Sequence, residues 1–452
     1  MKHTFSLTFI LCLCCFSGYS QSLDAYVTST PNNVYVEIAT TGNGLSSPVD
    51  LDFHPAANRP FELWVLNQGT DATGGSTVLI FNANKANRRY KYIQDGNAWH
   101  FMAIASSIAF GSNGNWATSA DILDANRQGG NFTGPSLWSS DTLVYGNVGN
   151  PPNLQFNGSH LDMIHESPYG KGIAFEEENI YWVYDAYNET LKRYDFSADH
   201  GPGQDYHGDG DVRVYPEIVL QRHSTLPAHM VIDAQKKYLY GCDTKAKKIF
   251  RFDITSGTYD QPIPESGEPL ASHAAYKDAV FSDVITTGLV APVGIDIYGN
   301  RLIVGDNGSD QIIIYDISDN FKEIGRFKPT YSASPDIMGV KVGPDGRIYF
   351  ADKINRKVIR IDNSQVFALS AGDDIFPELQ VYPNPATEKI IHIDGLNDLT
   401  ELTITDLTGR QLHKQVLAAG RSTIDLSAFS KGLYLLQLQN VKGSRVSRLL
   451  IE

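Results

Sequence analysis

The chain has 452 residues, a formal net charge of −14 and 42% apolar residues. That length suits one large domain and one small one, and the acid excess argues against nucleic acid and anionic membranes as partners. Its 39 Gly, 23 Tyr and 21 Phe lean toward β structure.

The chain starts with Lys2, then an apolar run from Phe5 to Phe16, then small residues at Gly18-Tyr19-Ser20. This order reads as a secretory signal peptide over residues 1–20, cleaved before Gln21. The run is too short to cross a bilayer and no later segment is longer, so no transmembrane segment is expected in the mature chain. Cys12, Cys14 and Cys15 leave with the signal. Leu13 and Phe16 around the last two fit a lipid-attachment site poorly. Cys242 alone remains, so no intrachain disulfide can form, and its apolar strand pattern predicts a buried thiol.

Six units then recur along the chain, beginning near residues 48, 105, 170, 228, 292 and 336. The first pairs Val49–Phe53 with Glu62–Asn67, and the second, most degenerate, pairs Ser106–Phe110 with Trp116–Ser119. The third contains Lys171–Phe175, Ile180–Asp185 and Leu191–Asp195. The fourth contains Ala228–Asp233, Lys237–Asp243 and Lys248–Asp253. The fifth contains Pro292–Ile297, Arg301–Asp306 and Gln311–Asp316, and the sixth Asp336–Val342, Arg347–Asp352 and Lys357–Asp362. Each is a run of short apolar strands broken by turns, with room for a weaker fourth strand. Such small sheets cannot bury both faces alone and close most naturally into a radial propeller, with Ala25 to Ile38 available to complete the ring.

The recurring Gly-Ile pair, the Tyr-Val-x-Asp-like strand and the Ile-x-Arg-x-Asp-like strand resemble the NHL family of β-propellers over residues 45–363. A linker follows at 364–378. From 379 the pattern changes to Tyr382-Pro-Asn-Pro, Leu402–Arg410, Gly432–Leu438 and a terminal Arg448–Glu452, alternating like strands of a small sandwich. This tail resembles the type A C-terminal sorting domain of the type IX secretion system. The resemblance implies that residues 379–452 are an address read by the secretion machinery, and that the chain is secreted or held at the outer cell surface. The expected fold is therefore all-β: a six-bladed NHL-like propeller over 21–363 and a small C-terminal β-sandwich.

In a propeller the residue before each Gly-Ile-like pair lies where an innermost strand begins, at one mouth of the channel. Alignment puts Val49, Ser106, Lys171, His229, Val293 and Met338 there, a ligand cup with one imidazole, one ammonium and one hydroxyl. His160 and His165 precede Lys171, in a loop expected to run across that mouth toward His229. His160, His165 and His229 are thus candidate ligands for Zn2+ or a similar ion, and His229, Lys171 and His160 candidate catalytic groups. The alternative is histidines bonded to nearby carboxylates. Asp205, His207, Asp209 and Asp211, around Gly208 and Gly210, resemble a Ca2+-type oxygen cage, without a Glu at the closing position; the alternative is an unliganded acidic loop. The recurrent Asp185, Asp243, Asp306 and Asp352 are expected to bond the amides of the following turns. Asp121 to Ser139 reads as a lid or binding loop, and Trp99, Trp138 and Trp182 as sugar-stacking platforms or core.

Nucleophile elbows, His-Glu-x-x-His helices and phosphate loops are absent from the sequence, and no organic cofactor is expected. Two functions remain. One is a propeller that binds an extracellular peptide, protein or glycan at the channel mouth, with a divalent metal. The other is a metal-dependent extracellular enzyme, a lyase or a lactonase-like hydrolase. NHL-like propellers include the zinc-dependent lyase of peptide amidation, whose histidines come from several blades. Here His229 matches that level, but Val293 and Met338 stand at two of the others. Asp306 and Asn307 are the candidates for a lactonase-type Ca2+ cage.

Overall fold

The computed structural model describes residues 23–126, 129–130, 133–147, 158–204, 206–266, 269–364, 379–396, 398–406, 410–440 and 443–452. The expected signal peptide, nearly all of the expected linker, and Asp205 lie outside the described residues. The chain divides into two units, with the break between Asp362 and Asn363.

The first unit is a six-bladed propeller. β1 (Asn33–Ala39) comes first and is not part of blade 1. Blade 1 is β2 (Pro48–Phe53), β3 (Leu63–Thr70), β4 (Gly74–Phe81) and β5 (Arg89–Ile93). Blade 2 is β6 (Ala105–Phe110), β7 (Asn115–Ala120), β8 (Ser136–Ser139) and β9 (His160–Met163). Blade 3 is β10 (Gly170–Glu177), β11 (Ile180–Asp185), β12 (Thr190–Asp195) and β13 (Asp211–Tyr215). Blade 4 takes β14 (Met230–Asp233), β15 (Tyr238–Asp243), β16 (Lys248–Asp253) and, beyond a hairpin of β17 (Thr258–Pro262) and β18 (Ser272–Lys277), β19 (Phe281–Ile285). Blade 5 is β20 (Pro292–Tyr298), β21 (Arg301–Asp306), β22 (Gln311–Asp316) and β23 (Lys322–Phe327). Blade 6 is β24 (Ile337–Val342), β25 (Ile348–Asp352) and β26 (Lys357–Asn363), completed by β1.

The innermost strands neighbour one another in the cycle β2, β6, β10, β14, β20, β24 and back to β2. The closing strand falls within the stretch the sequence offered, apart from its last residue, Ala39. Tyr26 Oη donates to the Ile361 carbonyl at 3.0 Å and Asp24 pairs with Arg301 at 2.7 Å, tying the N-terminal segment to blades 6 and 5. The repeat phase is set by packing. Second strands such as Ile180–Asp185 and Arg301–Asp306 are buried along their whole length between adjacent blades, whereas the outermost strand β5 is mostly exposed.

A β-bulge falls at the start of the inner strands. Val49, Ser106, Lys171 and Val293 are each skipped in the pairing with the second strand of their blade, and the same irregularity spans Met338 and Gly339. Glycine follows the bulge where inner strands converge. A Cβ on Gly172 would overlap the Ala228 carbonyl of the next blade, and one on Gly294 the Met338 carbonyl.

The β17–β18 hairpin was not apparent in the sequence. It leaves blade 4 and extends the sheet of blade 3, with β18 parallel to β13. Trp138 and Trp182 are fully buried in inter-blade cores, which removes them as stacking platforms, while Trp99 is half-buried. Ser136–Ser139, expected in the lid, is the third strand of blade 2. Cys242 is buried, and burial raises its thiol well above the usual range.

The second unit contains two antiparallel sheets, β27 (Gln380–Tyr382), β28 (Ile390–Leu396) and β31 (Gly420–Asp425) in one, and β30 (Gln411–Leu417), β29 (Thr400–Thr405), β32 (Gly432–Asn440) and β33 (Gly443–Ile451) in the other. Ile391, Ile393 and Ile424 of the first share one core with Leu402, Leu436 and Leu449 of the second, making the expected sandwich.

Candidate functional site

Strand direction defines two faces. Inner strands start at the face where second strands end, so connections into each inner strand, and from second to third strand, share that axial mouth. Connections from third to fourth strand lie on the opposite face.

His229 blocks the axis below the mouth. Its Nε2 donates to the Ser106 carbonyl of blade 2 at 3.0 Å, and its Nδ1 lies 3.5 Å from Asp50 Oδ1 of blade 1. Burial pushes its pKa below the ordinary histidine value, against the pull of Asp50. Asp50 is itself held by the Ser107 hydroxyl and the Ile108 amide, at 2.8 and 2.9 Å. Further along the axis, Lys341 of blade 6 stands 3.4 Å from Asp52 and 3.9 Å from Asp296. Burial raises the Asp296 carboxyl to about 6, although Lys341 opposes the shift. The level residues Val49, Val293 and Met338 are buried. The expected cup is therefore a plug of apolar side chains and ion pairs.

Above the plug lies a charged group. Lys171, fully buried, pairs with Asp121 at the start of the long blade 2 insertion. Burial lowers the Lys171 ammonium and raises the Asp121 carboxyl, in both cases against their mutual attraction. Lys353 Nζ donates to Gln68 Oε1 at 2.7 Å, and burial lowers its pKa while Asp336 and Asp121 raise it. The Arg222 guanidinium lies 3.4 Å from the centroid of the Tyr169 ring. Three buried polar atoms around this group, Asp121 Oδ1, Arg222 Nε and Tyr184 Oη, have no hydrogen-bond partner. The strand-ending acids behave as the sequence predicts: Asp185 accepts the Tyr187 and Asn188 amides, Asp243 the Ala246 amide, and Asp352 the Asn355 amide. Asp306 departs from that expectation and accepts the Val290 and Ala291 amides of the segment leading into β20, while Asn307 donates to Asp336, so both lactonase-type candidates have partners within the propeller.

The histidines proposed as one zinc set have separate environments. His160 opens β9, the outermost strand of blade 2, and stacks on Phe101 with ring centroids 3.7 Å apart. His165 follows β9, with its ring 6.3 Å from that of His207. Among the described residues, His160, His165 and His229 do not form a group with ligand atoms within 4.8 Å of one another.

The Asp195–Asp211 loop connects the third and fourth strands of blade 3. It leaves from the opposite face and folds along β9, where the Gly203 amide donates to the His160 carbonyl at 2.8 Å. His207 Nδ1 donates to Asp162 Oδ1 at 2.5 Å, and His200 Nε2 to Asp209 Oδ1 at 2.9 Å. Asp211 begins β13 and accepts from Arg213 at 3.3 Å. The described members of the proposed calcium cage thus have different partners. Asp162, the residue that joins His207, was not a candidate in the sequence. A polar cleft of about 510 Å3 also opens on this face, between blades 1 and 2, with Arg59, Glu62, Asn113 and Asn115 in its wall.

Residues 380–452 match the family model described as the Secretion system C-terminal sorting domain. This marks the chain for export by type IX secretion, to the cell surface or outside the cell. No curated protein matches the chain. Among solved structures it is similar to an auxiliary nutrient binding protein from Bacteroides ovatus, at 11% identity and TM-score 0.47, over 73% of this chain and 76% of that one. It is also similar to PorZ, a surface component of the type IX secretion system of Porphyromonas gingivalis, at 12% identity and TM-score 0.38, over 86% of this chain and 58% of that one. A third is virginiamycin B lyase from Staphylococcus aureus, at 14% identity and TM-score 0.41, over 73% of this chain and 99% of that one.

Proposed function

We propose that the propeller is an extracellular binding module, and that its axial mouth holds a peptide or glycan through a carboxylate. The observation that carries this reading is the group of buried polar atoms without partners, Asp121 Oδ1, Arg222 Nε and Tyr184 Oη, at one mouth of a rigid ring. Buried polar groups are almost always hydrogen-bonded, and a ligand supplying both donors and acceptors satisfies them. Lys171 and Lys353 have Asp121 and Asp336 as acidic neighbours, and Arg222 shares the surroundings of Tyr184 with Asp185, Glu189 and Asp243. In a protein of net charge −14, the buried Lys171 and the Lys353 and Arg222 side chains are the cationic groups at this mouth to which a ligand carboxylate can bind.

A metal-dependent lyase or lactonase-like hydrolase has less support at this mouth. Such an enzyme needs His160, His165 and His229 around one point, or a free carboxylate cage, and these groups are committed to separate neighbours.

The test is binding of the secreted chain to acidic and neutral glycans, and to peptides with free or amidated C-termini. Acidic ligands should bind in preference, and Lys353→Met or Arg222→Gln should weaken them by roughly tenfold or more. Equal binding of neutral ligands, or unchanged affinity in both variants, would overturn the reading.

A further inference from the structure

We infer that Asp162, His200 and Asp209 form a binding site for a borderline divalent cation of the zinc or manganese class, which fastens the blade 3 loop to the outer strand of blade 2. The inference is independent of the ligand at the axial mouth. One ligand atom from each of these residues lies within 4.8 Å of the others, and no other such group of three occurs among the described residues.

Asp162 gives the second, separate indication. It is on β9, and its side chain is fully buried. Oδ1 accepts the Met163 amide at 2.7 Å and His207 Nδ1 at 2.5 Å. Oδ2 is buried and has no hydrogen-bond partner. A carboxylate oxygen removed from water with nothing to bind is costly, and a cation offsets that cost directly. His207 holds Asp162 in place from behind, as an outer-shell partner orients a metal ligand.

His200 and Asp209 come from the two arms of the loop and already meet at 2.9 Å. Their side chains are partly exposed, at 18% and 29%, so an ion can enter from solvent. Two carboxylates and one imidazole suit zinc or manganese better than calcium, which prefers an all-oxygen shell. The site joins two blades in a chain whose one described cysteine is buried and free, so a metal would provide the cross-link that a disulfide cannot.

The chain is stripped with chelator and titrated calorimetrically with ZnCl2, MnCl2 and CaCl2, and its thermal midpoint is recorded with and without metal. We expect about one equivalent of zinc or manganese and a rise in the midpoint. Asp162→Asn and His200→Ala should each weaken binding by roughly tenfold or more and abolish the rise, while Asp211→Asn retains both. Should Asp162→Asn fail to fold, His200→Ala, in the partly exposed loop, decides. No binding of zinc or manganese by the unmodified chain overturns the inference. So does calcium binding that His200→Ala leaves unchanged, or stoichiometric zinc in Asp162→Asn.

Discussion

His229 of blade 4 donates from Nε2 to the carbonyl of Ser106 in blade 2, 3.0 Å away across the propeller axis. The contact joins residues 123 positions apart in sequence, and it makes the histidine a strut. The bond fixes the ring proton on Nε2 and leaves Nδ1 toward Asp50.

His229→Ala should therefore destabilise the propeller. It removes a buried hydrogen bond, leaves the Ser106 carbonyl unmatched at that position and opens a cavity on the axis. Together these predict a loss of about 2–4 kcal/mol. Urea denaturation followed by tryptophan fluorescence measures it. A cost within about 0.5 kcal/mol of zero would mean that the strut is dispensable.

Asp296 gives a pH dependence of unusual sign for a carboxylate. Its folded-state pKa, raised to about 6, exceeds that of the unfolded chain, so the native state binds the extra proton between the two values. This contribution is most favourable in acid and is lost as pH rises through about 6, by about 3 kcal/mol in all. The groups facing it are Lys341 and Asp52, and Lys341 stays charged throughout. His229 acts in the opposite direction, because its lowered pKa reduces stability as pH falls. Comparison with Asp296→Asn isolates the carboxyl. The variant should be more stable than the parent above pH ~6, with the gap closing toward pH ~4. Thermal midpoints across that range test this, and a gap independent of pH would contradict it.

The propeller was legible in the sequence because its blades repeat the same burial pattern. Ile180–Asp185 and Arg301–Asp306 are buried along their length between blades and so carry apolar centres, and each ends in an aspartate that accepts backbone amides of the loops. The level of Lys171 and His229 on the inner strands was legible for the same reason. What those side chains reach was not, because their partners lie on other blades: Asp121 for Lys171, and Ser106 for His229. Strand direction decided the rest. His160 starts an outermost strand, and the Asp195–Asp211 loop leaves from the face opposite the axial mouth, so neither adjoins His229. Asp162 carried no motif; it becomes notable only when the loop folds back along β9.

The buried Lys171–Asp121 pair gives a third prediction. Lys171→Met removes the cation and leaves a buried carboxylate whose Oδ1 already has no partner. The expected cost is about 3–5 kcal/mol, since breaking a buried pair strands the remaining charge. Adding Asp121→Leu to that variant should recover most of the loss, because both charges are then gone. Denaturant midpoints of the two variants decide the matter. A double variant no more stable than the single one would show that the cost comes from packing.

Closure of the ring depends on β1, the one strand of blade 6 that comes from the other end of the chain. A chain beginning after Ala39 loses the ladder to β26, the Tyr26 bond to Ile361 and the Asp24–Arg301 pair. The unpaired edge of β26 then presents free amides and carbonyls, a template for pairing with another chain. The truncated chain should elute as oligomers or aggregate in size-exclusion chromatography. A synthetic peptide of residues 23–40 should restore the elution volume of the full chain by filling the vacant edge. A scrambled peptide of the same composition should not, because the strand's alternation determines which side chains face the core. If the truncated chain elutes unchanged and unfolds at the same urea concentration, β1 is an accessory strand and the ring is held by contacts among the inner strands alone.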